Sequence, residues 1–323
     1  MLQSTVDRLN GLCSPEQVLV VTNKILVDPI AEQLPNVPRE LIIGEPAKRD
    51  TAPCVGLAAA WVASKDPDAT MVVMPADHDI QPDDVFRDAI SHAASLVDDD
   101  PGRIVTFGIK PTYPAEVFGY SERTGESMAE GIPTFSVSKF REKPDAKTAQ
   151  QFLDAGTFYW NSGIFIWKAR TILNALAKYE PEMSAHIQSI GSSIGTDRYA
   201  ETLEQEFTAI KGTSIDYAVM ERYDNVLVVE APYQWDDLGN WSAVPRLMGE
   251  DDHGNTVTGQ HLGIDTEKSI IRGEDGHLIV TLGMKDCIVV HTPDATLVAD
   301  RKNESAIKQI VKELEQLKLN QYL

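Results

Sequence analysis

An α/β architecture, with a doubly wound sheet carrying helices on both faces, is what this 323-residue chain predicts for most of its length. Three observations carry that expectation. Apolar runs without alternation, such as Met71-Val72-Val73-Met74, have the pattern of strands buried on both faces of a parallel sheet. Up to residue 250 these runs alternate with segments of helical periodicity. After Gly249-Glu250-Asp251-Asp252 short β segments, HLIVTL and CIVVHT, are separated by Gly/Asp turns, which predicts a small β-sheet or β-helical module over residues 251–323.

Taken in order, Leu2, Val6, Leu9 and Leu12 share one face of a helix over residues 2–12, and QVLVVT (Gln17–Thr22) is a buried strand. A helix over Lys24–Leu34, a strand over Glu40–Ile43, an alanine-rich helix over Cys54–Ser64 and a strand over Thr70–Met74 follow. Asp83–Val97 is helical and Arg103–Gly108 is a buried strand. Phe118–Phe140 has the pattern of hairpin strands forming a lid or subdomain over the sheet. Phe158–Trp167, FYWNSGIFIW, is an apolar run interrupted by Asn161-Ser162-Gly163. Helices over Ala169–Tyr179, Glu182–Ile190 and Asp197–Phe207 precede a helix SIDYAVMERY with Ser214 at its N-cap, and then a strand over Asn225–Glu230. At the end, Ile307, Ile310, Val311, Leu314 and Leu317 line one face of a helix over Asn303–Leu317, expected to dock on the β module or on a second copy in a homodimer.

Bulk properties exclude several functions. A formal net charge of −20 repels phosphate backbones, so nucleic acid is not expected as a partner. An anionic small substrate would need local lysines, arginines and a divalent cation to outweigh that field. No apolar run approaches a membrane span, and MLQSTVDRLNGL reads as an amphipathic helix rather than a signal peptide, which predicts a cytoplasmic protein with no membrane partner. Three scattered cysteines, Cys13, Cys54 and Cys287, support neither a disulfide framework nor a zinc site, and the seven histidines show no HxxxH or HExxH spacing.

Polar groups at the ends of apolar runs carry the chemistry. In MPADHDI, ligands would gather beyond the carboxyl end of the strand, placing Asp77 and Asp79 at the mouth of a site suited to a hard cation such as Mg²⁺. A solvated turn before the helix at Gln81-Pro82-Asp83-Asp84 fits the same residues. EPAKRDTAP (Glu45–Pro53) joins a strand to a helix, where N–H groups and the helix dipole favour anions, and Lys48 and Arg49 add positive charge. Glu45 has the acceptors to take two parallel hydrogen bonds from the Watson–Crick edge of guanine, which thymine and uracil do not offer; a surface ion pair is the alternative. In FREKPD, Glu142 suits sugar hydroxyls and Lys143 a phosphate oxygen, although charged turns are common. Asn161 and Ser162 need partners amid apolar neighbours, which a ligand or a β-bulge would provide. In WDDLGNW, Asp237 suits a second metal-binding carboxylate and Gly239 allows close backbone approach, with an aspartate N-cap as the alternative.

In this order EPAKRDTAP, MPADHDI, FGIKPTYPAEVFGY, FREKP, WNSGIF, SIDYAVME and WDDLGNW resemble the motifs of the sugar-1-phosphate nucleotidyltransferases, specifically the bacterial mannose-1-phosphate guanylyltransferases. The resemblance covers nearly the whole chain. It implies a Rossmann-like nucleotidyltransferase domain over residues 1–250, a β-helix-like module with a terminal helix over 251–323, and the reaction of GTP with mannose 1-phosphate to GDP-mannose and pyrophosphate. By the same resemblance Asp77 and Asp237 are Mg²⁺ ligands, and Glu45 with Arg49 forms part of the base and nucleotide pocket, beside which Lys48 is a substrate-binding candidate by its charge. Gly119, Glu142, Asn161 and Gly163 contact mannose, and Lys143 meets the sugar phosphate. Asp216 falls in a family motif without an assigned role. Family members also carry a glycine-rich loop of the type AGGxGTRxxP, then PKQ, ahead of a helix like LLQQTVERL. Met1–Leu9 matches that helix, so the resemblance predicts the first strand and loop, about thirty residues or one βα unit, to be missing. Two other readings follow: a nucleotide-sugar binding protein impaired in catalysis by the lost loop, and a transferase for another sugar phosphate and nucleotide, against which Glu45 argues.

Overall fold

The computed structural model describes residues 1–128 and 131–322. Residues 129 and 130 of the expected hairpin, and residue 323, lie outside the described residues. The chain divides into two compact units, Met1–Trp235 and Asp236–Leu323.

In the first unit the elements run α1 (Leu2–Asp7), β1 (Val20–Asn23), α2 (Val27–Gln33), β2 (Ile42–Glu45), α3 (Thr51–Ala63), β3 (Thr70–Val73), β4 (Asp79–Gln81) and α4 (Asp83–Asp99). They continue with β5 (Ile104–Ile109), β6 (Tyr120–Thr124), β7 (Thr134–Arg141), α5 (Ala146–Ala155), β8 (Phe158–Lys168), α6 (Ala169–Tyr179), α7 (Pro181–Ser193), α8 (Tyr199–Ala209) and β9 (Val226–Glu230). A six-stranded sheet has the order β3-β8-β5-β9-β7-β6, and β1 pairs with β2 in a separate parallel ribbon.

Both faces of the large sheet are covered, and β8 shows how its sequence arranges this. Phe165 and Trp167 point into a cluster with Leu57 of α3, Ile172 and Leu176 of α6 and Ile187 of α7. Ile164 and Ile166 point the other way, against Phe86, Ile90 and Val97 of α4. Strand periodicity therefore feeds two apolar layers at once. Trp167, Phe86, Ile164 and Ile166 are all fully buried, each worth roughly 1.5–3 kcal/mol relative to exposure.

Four expectations are corrected. Among the described residues of the sheet only β5 and β9 run parallel; β8 is antiparallel to β3 and β5, and β7 to β9. A continuous apolar run reports two-sided burial by helices, whatever the direction of the neighbouring strand. β3 is an edge strand pairing with β8 alone, and Val72 is 37% exposed, so this run is not buried on both faces. β6 and β7 are strands of the sheet itself rather than a lid over it, because β7 finds a partner in β9. α1 stops at Asp7, where turn hydrogen bonds from Leu9 to Val6 and from Asn10 to Asp7 replace the helical ladder.

β10 (Gln234–Asp236) straddles the boundary between the units. In the second unit α9 (Val244–Met248) precedes β11 (Thr256–Thr258), β12 (Gln260–Ile264), β13 (Ile270–Arg272), β14 (Leu278–Leu282), β15 (Cys287–His291) and β16 (Thr296–Asp300). β11, β13 and β15 stack in parallel, as do β12 and β14, giving successive rungs of a β-helix with Ile271, Ile279 and Val289 inside. Asn255 fastens the first turn: its Nδ2 donates to the Thr266 carbonyl at 2.9 Å and its Oδ1 accepts from the Ser269 N–H at 3.0 Å. The terminal helix is shorter than expected, with a 3₁₀ stretch over Arg301–Ala306 ahead of α10 (Ile307–Gln316). α10 contains no buried residue, and Ile310 and Val311 are exposed. Among the described residues no helix is long and apolar enough to cross a membrane.

Candidate active site

At the carboxyl end of β5, Gly108 pairs with Asn161 of β8 across a register shift between Thr106 and Gly108. The irregularity lets β8 run on without a break, and it turns the Asn161 side chain into a network. Asn161 Oδ1 accepts from the Gly163 N–H at 3.3 Å and lies 3.1 Å from the Thr106 hydroxyl, while Nδ2 donates to Asp216 Oδ1 at 3.1 Å. Thr106 has one proton and also faces the Ile164 carbonyl at 2.9 Å, so it serves one acceptor at a time.

Gly119 and Glu142 close the same corner. The Asn161 N–H donates to the Gly119 carbonyl at 2.8 Å, and a Cβ on Gly119 would sit 2.5 Å from Glu142 Oε2 and 3.4 Å from Asn161 Cβ. Only glycine leaves the Glu142 carboxylate where it is. Glu142 Oε1 meets Lys143 Nζ at 3.1 Å, and the Glu142 N–H donates to Glu221. Lys143 has a backbone φ of 44°, a left-handed conformation that turns its side chain back toward its neighbour. Burial alone would lower the Lys143 pKa, but its hydrogen bond with Glu142 and the nearby carboxylates outweigh this and hold it above the usual lysine range. Asp216 opens a π-helical turn, Asp216–Met220, in place of the regular helix expected there; Ile215 rather than Ser214 is its N-cap, although the Tyr217 N–H donates to the Ser214 hydroxyl at 3.3 Å. Burial first, and the Glu142 charge second, push the Asp216 carboxyl up to about 7.

The MPADHD segment packs beside this corner. Gly163 has φ +72, and a Cβ there would lie 3.5 Å from Pro75 and 4.0 Å from His78. His78 Nδ1 accepts from Trp235 Nε1 at 3.1 Å, with the rings edge to face at 5.2 Å. From α1 the Thr5 hydroxyl donates to the Ala76 carbonyl at 3.1 Å, and just after it Arg8, 2% exposed, pairs with Asp83 and reaches the His78 carbonyl. Asp77 itself is exposed and has no ion-pair or hydrogen-bond partner among the described residues. In the second unit Asp236 is engaged by Arg246, whereas Asp237 has no such partner among the described residues and lies over Gly239, where a Cβ would be 2.5 Å from its Oδ2.

The EPAKRDTAP loop differs from expectation in one respect. The first N–H groups of α3 are already taken: that of Thr51 by the Asp50 carboxylate at 2.8 Å and that of Ala52 by the Thr213 carbonyl at 3.0 Å. Arg49 donates to the carbonyls of Thr208 and Lys48, so its guanidinium ties the loop to the end of α8; Lys48 stays exposed. Glu45 ends β2 half-buried, with Oε1 buried and without a hydrogen-bond partner. Burial raises its carboxyl to about 6, and the adjacent Cys54 thiol, buried beside that charge, is pushed up to about 12. An acceptor withdrawn from water without a donor is suited to a ligand N–H. Among the described residues no three His, Cys, Asp or Glu side chains form a metal-binding group.

Sequence reasoning found Gly119, Glu142, Lys143, Asn161 and Gly163, which the structure brings together. It left Asp216 without a role and missed Thr106, His78, Trp235, Thr5 and Arg8, whose contacts cross 55 to 157 positions of sequence. The one signal for Arg8 is a charged residue on the otherwise apolar side of the first helix.

Comparison with known proteins agrees with the motif order. Residues 1–252 match the family model described as nucleotidyl transferase, and residues 259–314 match the MannoseP isomerase/GMP-like beta-helix domain. The chain is similar to the mannose-1-phosphate guanylyltransferase of Escherichia coli K12, 38% identical over 97% of this chain and 66% of the relative. It is similar also to that of Klebsiella pneumoniae, 33% identical over 100% of this chain and 68% of the relative. The chain thus spans about two thirds of the length of these relatives. Among solved structures it resembles one titled mannose-1-phosphate geranyltransferase from Thermus thermophilus, with a TM-score of 0.85 and 28% identity over 97% of this chain and 89% of the other.

Proposed function

The chain belongs to the nucleotidyl transferase family, and from that premise we propose that it transfers GMP from GTP to mannose 1-phosphate, releasing pyrophosphate. The observation that carries the reading is the convergence of Gly119, Glu142 and Asn161 on one corner with Lys143 beside it, a hydroxyl-binding set next to a single cation. An oxygen of mannose 1-phosphate forms a bond to the α-phosphorus of GTP while the bond from that phosphorus to the pyrophosphate oxygen breaks. The attacking oxygen is already anionic, so no side-chain nucleophile is required. Lys143 holds the sugar phosphate, while Glu142, Asn161, Gly119 and Gly163 hold the hexose. Glu45 takes the N–H edge of guanine with its partnerless oxygen, and Lys48 adds positive charge to a loop that Arg49 fastens down. The carboxylates of Asp77 and of Asp237 have oxygen donors that suit Mg²⁺, and we propose each residue as a Mg²⁺ ligand. When bound, Mg²⁺ supplies charge neutralisation at the phosphates. The cytoplasmic location and the homodimer remain parts of the proposal, the second supported by the uncovered apolar stripe of α10.

Competition among GTP, UTP and dTTP, with and without Glu45→Gln, tests the base assignment. GTP is expected to win by tenfold or more, roughly the value of one charge-assisted hydrogen bond, and Glu45→Gln to narrow the margin. Asp77→Asn is expected to lower the rate by roughly two to three orders of magnitude with the fold unchanged. Equal use of the three nucleotides removes the guanine assignment, and wild-type turnover by Asp77→Asn removes the metal assignment.

A further inference from the structure

Asp216 has a geometry that its motif does not explain. Two groups fix which way round the Asn161 amide stands: the Gly163 N–H donates to Oδ1 and the Asp216 carboxylate takes a proton from Nδ2, while the Thr106 hydroxyl shares its one proton between Oδ1 and the Ile164 carbonyl. One N–H of that amide then remains for a ligand. Glu142 is paired with Lys143 at Oε1, and the absence of a side chain at Gly119 leaves room for its Oε2. Asp216 stands at the first position of the one-turn π-helix Asp216–Met220, a local irregularity of the kind that re-aims a side chain. The charged groups facing it are Glu142 and Lys143 from the turn after β7 and Asp50 from the start of α3; burial first, then the Glu142 and Asp50 charges, raise its carboxyl to about 7 against the opposing pull of Lys143.

On the reading that this subsite takes mannose 1-phosphate, we propose that Asp216 is its positioning residue. By accepting from Asn161 Nδ2 it orients the amide so that the free N–H of Asn161 and the Glu142 carboxylate meet hydroxyls of one hexose, and so sets selectivity for hydroxyl configuration. A donor and an acceptor held rigidly side by side distinguish an axial from an equatorial hydroxyl, because a misplaced hydroxyl leaves one buried group unpaired.

Asp216→Ala and Asp216→Asn, in the full chain, test this through steady-state kinetics with GTP and either mannose 1-phosphate or glucose 1-phosphate, and through titration calorimetry with GDP-mannose. Asp216→Ala is expected to raise the KM for mannose 1-phosphate about ten- to a hundredfold, to weaken GDP-mannose binding in proportion, to leave the KM for GTP in place and to narrow the preference for mannose over glucose. Asp216→Asn keeps an acceptor oxygen at the same place and is expected to recover most of the loss. Asn161→Asp, which exchanges the donor for a second acid, is expected to give the same sugar-only defect however Asp216→Ala folds. Unchanged sugar KM values, or equal rises in the sugar and GTP values, overturn the proposal. Wild-type protein that binds GDP-mannose without turnover contradicts the transferase reading, while the affinity ratio of the variants still decides the role of Asp216. Wild-type protein that does neither overturns both.

Discussion

Gly119 is defined by what stands beside it. A methyl group there would meet Glu142 Oε2 at 2.5 Å, the mobile end of a long side chain, while its other neighbours would stay at an ordinary 3.4 Å. Gly119→Ala is therefore expected to cost less than about 1 kcal/mol in stability but to displace the carboxylate, raising the KM for mannose 1-phosphate about tenfold. Thermal unfolding beside steady-state kinetics checks both halves, and an unchanged KM contradicts the assigned contact. Glu45, Glu142, Lys143 and Asn161 were legible in the sequence because a charged or polar residue at the end of an apolar run stands out against its neighbours. Thr106 and Arg8 were not, since nothing local distinguishes a buried threonine or arginine whose partners lie 55 and 70 positions away.

Among the elements, β8 and the π-helical turn do most to shape the site. Apolar runs and helical periodicity gave most strands and helices of the first unit in order, but not α5 or β4, and the run of β3 looked like a doubly buried strand because its sequence carries no record of its place at the sheet edge. The π-turn was legible only as a helix, since one extra residue in a turn leaves periodicity nearly unchanged. Its consequence is measurable through pH. The carboxyl of Asp216 is raised from 3.8 to about 7, mainly by burial, so between those values the folded protein binds a proton that the unfolded chain releases. The stability this confers is complete below about pH 4 and is lost as pH rises through about 7. Asp216→Asn cannot titrate, so its denaturation midpoint is expected to gain on the wild type between pH 5 and pH 8. Parallel profiles for the two proteins contradict the burial of this charge.

For the whole molecule the governing fact is a formal charge of −20 in a protein proposed to bring two anions together. The global field opposes that task, and the local arrangement proposed to answer it sets Lys143 beside Glu142, Lys48 exposed on the loop after β2, and carboxylates suited to a divalent cation. The β-helical rungs of the second unit were visible as a change of pattern after residue 250, but their parallel stacking was not, because short strands with Gly/Asp turns suit several β architectures equally. The central claim is that guanylyl transfer requires both partners at once. Its most direct measurement is pyrophosphate release by the purified chain with GTP and Mg²⁺, with and without mannose 1-phosphate, alongside detection of the sugar nucleotide. Release that depends on mannose 1-phosphate and matches the GDP-mannose formed, mole for mole, is the result expected; GDP-mannose binding with no release under any of these conditions would contradict it.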